Sequence, residues 1–201
     1  MTDSKWQVLG REAVMNQPSF RMMLEQVQLP DGRVIADWPM VHAGDFISLL
    51  VFDKDGQALV MEGYRHGLKR TTWQMLSGTL REGEDPLVAA KRQLESQVGY
   101  VSGNWRYLSS FVMDANQYVS TGHFFLVTNA APREGVVRPP EGQKPLWIPG
   151  HLLNRALWDG RIGAASYAVT VALGLLALQK SPWRYLIAEN GPGGPVDGWA
   201  D

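Results

Sequence analysis

The chain contains no cysteine. That excludes disulfides, thiolate nucleophiles and cysteine-ligated zinc, and it accords with a reducing compartment. An excess of either charge is lacking too. The 19 Lys and Arg face 20 Asp and Glu, for a formal net charge of -1. The basic residues are scattered, so neither nucleic acid nor an anionic membrane is an expected partner. Long apolar runs are missing as well. "MTDSKWQVLG" lacks the apolar core of a signal peptide. The most apolar stretch, Ala164 to Leu178, is shorter than the roughly 20 residues of a membrane span and carries Ser166, Tyr167 and Thr170. It predicts a buried helix in a cytoplasmic protein. No G-x-S-x-G elbow, P-loop or dinucleotide fingerprint occurs.

What is present is a soluble, foldable balance: 45 % hydrophobic and 19 % charged residues in a chain of 201. This length suits one domain, or one domain with a small appendage. From Trp6 to His42 the pattern is strands and turns, with Pro30-Asp31-Gly32 as one turn. Two apolar runs flank Asp55-Gly56 and predict a hairpin. "TTWQMLSG" is a short strand. Asp85-Pro86 then starts a helix, with Leu87, Ala90, Leu94 and Val98 as its apolar stripe and Gly99 as its end. "WRYLSSFVMD" and "GHFFLVTNAA" read as strands. "PREGVVRPPEGQKP" reads as a long polar loop of the functional kind. "HLLNRALWDG" and the Ala164 to Leu178 stretch read as helices. Strands, a helix, strands and helices in that order predict an α+β fold, an α/β/α sandwich whose mixed sheet is flanked by helices. A small N-terminal β segment (1–42), a main domain (43–180) and a coil tail (181–201) divide the chain.

The most informative stretch is "GTLREGEDPLVAAKRQLESQVGY", Gly78 to Tyr100. An acidic loop feeds the helix. Within that helix, positions 93, 96 and 97 share one narrow face, because each residue turns the helix by about 100°. The face carries Gln93, Ser96 and Gln97, all neutral. Glu95 points away from it.

This stretch resembles the Nudix box, the signature of Nudix hydrolases. Gly78, Glu84, Arg92, Leu94, Gly99 and Tyr100 match the family pattern with its spacing intact. The flanks "EGYRHGLKRTTWQMLSG", "LPDGRVIADW" and "DGRIGAASYAVTVALGLLAL" resemble the ADP-ribose and nucleotide-sugar pyrophosphatases of that family. The resemblance implies hydrolysis of a diphosphate linked to another group, assisted by Mg²⁺ or Mn²⁺ bound mainly by carboxylates. In this chain Gln93, Ser96 and Gln97 stand where the family has glutamates. The metal ligands left for an active enzyme are the Ser77 carbonyl, Glu82 and Glu84, with Glu134 or Glu141 as the loop glutamate and Glu84, Glu134 and Glu141 as catalytic candidates. Without activity, no metal is implied.

By the same resemblance, Tyr64, Arg65 and His66 lie near the phosphates. Phe20, Trp38 and His42 lie in the segment that supplies base-stacking groups, often across a dimer interface. For Arg92 a structural pair with Glu84 is the expectation, for Trp73 core packing, and for His66 a role other than a base. The expected partners are a nucleotide-type small molecule and a second copy of the chain. Three functions stay open: a Nudix-fold binding protein with hydrolysis lost or much weakened, an active pyrophosphatase with displaced ligands, and a purely structural dimeric module.

Overall fold

A computed structural model describes residues 5–135 and 137–179. The coil expected for 181–201 lies outside the described residues. The chain divides into two compact units, Met1–Phe46 with Phe111–Gly122, and Ile47–Ser110 with His123–Asp201.

In the first unit, β1 (Gln7–Gln17), β2 (Phe20–Gln28) and β3 (Val34–His42) form an antiparallel meander. Gly32, at φ 86°, turns the chain between β2 and β3, and its N–H donates to the Leu29 carbonyl. β3 runs parallel to the start of β10 (Tyr118–Pro132) at Tyr118 and Val119. β1 is exposed along nearly its whole length.

In the second unit, β4 (Phe46–Asp53) and β5 (Gln57–Arg65) meet through the expected hairpin, Phe52 opposite Ala58. The strand order is β10-β4-β5-β11, with β11 spanning Gln143–Pro149. β6 (Arg70–Gln74) also pairs with β5, and β7 (Leu76–Thr79) pairs with β4. β8 (Tyr100–Val101) and β9 (Asn104–Asp114) pair with β10. The sheet is mixed, and helices cover both faces. Leu49, Val51, Leu59 and Met61 pack under α1 (Pro86–Val98) with Ala89, Ala90 and Leu94. The alternate residues Leu50, Phe52, Ala58 and Val60 pack with α2 (Leu152–Ala156) and α3 (Ala165–Gln179). Burial on both faces explains why β4 reads as a nearly continuous apolar run, interrupted by the buried Ser48.

α1 starts and stops as its sequence dictates. The Asp85 carboxylate accepts from the Leu87 and Val88 N–H groups, Pro86 fills the first turn, and Gly99 closes the helix at φ 71°. Two expectations fail. The single short strand expected over "TTWQMLSG" is two, β6 against β5 and β7 against β4. The sequence predicts a polar loop through Pro145, yet the loop ends at Gly142, and residues 143–149 form β11 against β5. Pro145 and Pro149 argue against a strand by local preference. β11 closes one end of the strand order, where a missing N–H is tolerated, and seven pairings with β5 outweigh that preference.

Candidate functional site

The loop before α1 and one face of that helix gather the box residues in the second unit. Gln97 is 7 % exposed, and its Nε2 donates to the Ser77 carbonyl at 2.8 Å and to Gln93 Oε1 at 2.6 Å. A backbone carbonyl can only accept, so it fixes which way the Gln97 amide faces, and Gln97 in turn fixes Gln93. Gln93 lies directly on Gly78, in the space that a Cβ would fill. Two of the three neutral residues, Gln93 and Gln97, are therefore hydrogen-bonded to each other and to β7, while Ser96 is exposed.

Glu84 belongs to a second network. Arg92 Nε and Nη2 donate to its two carboxylate oxygens, each at 2.7 Å, and the Arg81 N–H donates to Oε2 at 2.9 Å. Arg92 also reaches the Thr79 carbonyl at 3.3 Å. The Arg92 guanidinium, followed by the Arg81 N–H, holds the Glu84 carboxyl down to about 2 from an ordinary value of 4.5. Glu84 thus links the loop to the helix through these bonds. Glu82 is exposed beside it.

The loop after β10 is tied to the C-terminal end of α1. The Arg133 N–H donates to the Gly99 carbonyl at 2.7 Å, the Arg138 N–H donates to the Ser96 carbonyl at 2.8 Å, and Arg133 pairs with Glu95 at 2.9 Å. A cleft of about 350 Å³ lies there, lined by Arg92, Glu95, Ser96, Gly99, Arg133, Glu134 and Gly135. Of the two loop glutamates considered, Glu134 lines this cleft with Ser96. Glu141 is exposed and is not among its lining residues.

Tyr64 and Arg65 end β5, and His66 opens the 3-10 turn that follows. Tyr64 is exposed, and its ring stands edge-on to His66, 6.4 Å away. Lys69 Nζ approaches His66 Nε2 at 3.0 Å. With its amide oxygen turned to Arg65, Gln143 accepts from Nη2 at 2.8 Å and Nη1 at 3.2 Å. Sequence reasoning missed Gln143, because it was placed in a loop. The signal was the strand itself, since β5 needs a partner on the side away from β4. Trp73 packs partly into the core and donates Nε1 to Glu62 at 3.3 Å.

In the first unit, Phe20, Arg21, His42, Asp45 and Tyr118 line a pocket of about 200 Å³. The Tyr118 hydroxyl donates to Asp45 at 2.8 Å, and its ring lies 4.9 Å from that of His42. Trp38 does not line this pocket. It meets Trp6 edge-on and donates Nε1 to the Asn116 carbonyl at 3.1 Å.

A hard divalent cation needs oxygen donors, mainly anionic. Here an amide nitrogen faces the Ser77 carbonyl, the helix face is neutral, and Glu84 is held by a guanidinium. No cluster of three or more His, Asp or Glu suited to a metal occurs among the described residues. These residues do not fit Mg²⁺ or Mn²⁺. Nor is any described helix long and apolar enough to cross a membrane.

Comparison with known proteins places these features in a lineage. A CMP-5'-(N-acetyl-N-hydroxy-3-aminopropyl)phosphonate hydrolase of Streptomyces rubellomurinus is 26 % identical over 87 % of this chain and 82 % of its own. The ADP-ribose pyrophosphatase of Bacillus subtilis is 26 % identical over 59 % of this chain, which spans 63 % of that enzyme. A solved ADP compounds hydrolase superposes with a TM-score of 0.76 over 89 % of this chain and 97 % of its own, at 17 % identity, which speaks for the fold alone. The NUDIX domain model matches residues 43–166, more than half of the chain, and with the box register of α1 it assigns this protein to the Nudix family.

Proposed function

We propose that this protein binds a nucleoside-diphosphate-type ligand of the ADP-ribose kind and that its metal-dependent hydrolysis is lost or much weakened. The observation that carries this reading is the Gln97 amide, which donates to both the Ser77 carbonyl and Gln93 where the family's chemistry calls for a cation. Relatives named as ADP-ribose pyrophosphatases support the ligand class. The ligand-facing candidates are Arg65 and Tyr64 in the second unit and Phe20 and Trp38 in the first. The protein works in the cytoplasm as a homodimer, and the exposed apolar side chains Val8, Val14, Met15 and Val34 of the first unit support the dimer.

Calorimetric titration of ADP-ribose in EDTA, beside a product assay in Mg²⁺ or Mn²⁺, tests the reading. Binding without turnover is expected. Turnover at the rate of an ordinary pyrophosphatase would sink it, and would favour displaced ligands among Glu82, Glu84, Glu134 and Glu141. One observation speaks for that second reading: Glu134 lines a cleft with Ser96.

A further inference from the structure

Arg65 forms no ion pair among the described residues. Its guanidinium is instead held by a neutral group, the Gln143 amide oxygen. The backbone is built to allow this. Gln143 pairs with Gly63, two residues before Arg65 on the same face of β5. A Cβ on Gly63 would lie 2.5 Å from the Gly142 carbonyl oxygen and 3.1 Å from Gln143 Cγ, so only glycine lets β11 come this close.

The surroundings are polar and unfinished. Arg65 Nε is buried without a partner among the described residues, and so are Thr72 Oγ1 and Gln74 Oε1. Thr72 pairs with Gly63 and Gln74 with Met61, which puts both side chains on the face that carries Arg65. Buried polar atoms without partners are uncommon and ask for a group that the protein does not itself supply.

We infer that Gln143 is a positioning residue that orients Arg65 for an anionic ligand while leaving its charge uncancelled. This deepens the proposed function and rests on it. A carboxylate at 143 would hold the guanidinium as well or better, but it would neutralise the charge that a phosphate needs. An amide gives orientation without neutralisation. The ligand class is a phosphate or diphosphate group, approached by a guanidinium fixed on one edge.

The test uses the full chain in EDTA, with ADP-ribose and inorganic pyrophosphate as probes and Gln143→Glu, Gln143→Met and Arg65→Gln as variants. Gln143→Glu should melt no lower than wild type, yet bind both probes roughly tenfold or more weakly, because its carboxylate competes for Arg65. Gln143→Met keeps the charge but loses the orientation, and should weaken binding only a few-fold. Arg65→Gln should abolish binding of pyrophosphate. A structural role for Gln143 alone would reverse the order, with Met worse than Glu, and that result overturns the inference. Gln143→Glu binding as tightly as wild type overturns it too, while the proposed function stands. Wild type binding neither probe overturns both together.

Discussion

Arg92 and Glu84 meet fork to fork: Nε on Oε1 and Nη2 on Oε2, both at 2.7 Å, with the Glu84 side chain only 10 % exposed. The pair ties the loop after β7 to the second turn of α1. Because it depends on an ionised Glu84, it gives a pH signature. Its stabilisation is complete above the ordinary carboxylate value of 4.5 and is lost as pH falls towards about 2. Glu84→Gln should therefore melt below wild type at pH 7, with the gap closing between pH 4.5 and 2. Thermal melts of both proteins across that range check this, and a gap that stays constant would count against the pairing as its cause.

The Gln97 amide supports two acceptors at once. Gln97→Ala leaves the Ser77 carbonyl and Gln93 Oε1 without their donor in a nearly closed site. Stability should drop by about 1–3 kcal/mol. Urea denaturation measures it, and a loss below a few tenths of a kcal/mol would mean that water replaces the amide.

Restoring the box tests whether the neutral face leaves this helix without affinity for a divalent cation. Gln93→Glu, Ser96→Glu and Gln97→Glu together place three carboxylates beside the Ser77 carbonyl. In EDTA the triple variant should be less stable than wild type. Exposed like-charge pairs on a helix cost about 0.2–0.5 kcal/mol each, and buried Gln97 adds more. In millimolar Mg²⁺ the variant should regain stability, because a cation that binds only the folded state raises its melting temperature, whereas wild type should respond little. Equal responses of the two proteins would defeat this account of the helix.

Association is testable without any ligand. The outward side chains of Val8, Val14, Met15 and Val34 are 41 to 54 % exposed. Light scattering at micromolar concentration should give a dimer mass, and Val14→Asp with Met15→Asp should shift it towards monomer. A monomer mass for wild type would refute the proposal.

Much of this was legible in the sequence, for physical reasons. Asp85-Pro86 and Gly99 bracket α1 because caps act locally, and Asp55-Gly56 marks its hairpin for the same reason. The box register came through because helical spacing alone brings 93, 96 and 97 together. β11 did not, since its prolines contradict its state and only pairing with distant β5 overrides them. The Gln143–Arg65 contact spans that unread pairing and went with it. Likewise, nothing local says that Phe111–Gly122 belongs with the N-terminal strands, because that grouping is made by contacts far apart in the chain. The amides of Gln93 and Gln97 were visible as a loss of charge. That they bond to each other and to Ser77 depends on side-chain geometry, which periodicity does not carry.

The Gln93–Gln97–Ser77 network has one more consequence. It is built wholly of uncharged groups, so dissolved salt has little to screen. A helix that faces its loop through carboxylates and a cation would have its geometry set by ion supply. The bonds from Gln97 to Ser77 and Gln93 are of a kind that ionic strength leaves alone, so the charged Arg92–Glu84 pair beside them is the salt-sensitive tie between loop and helix.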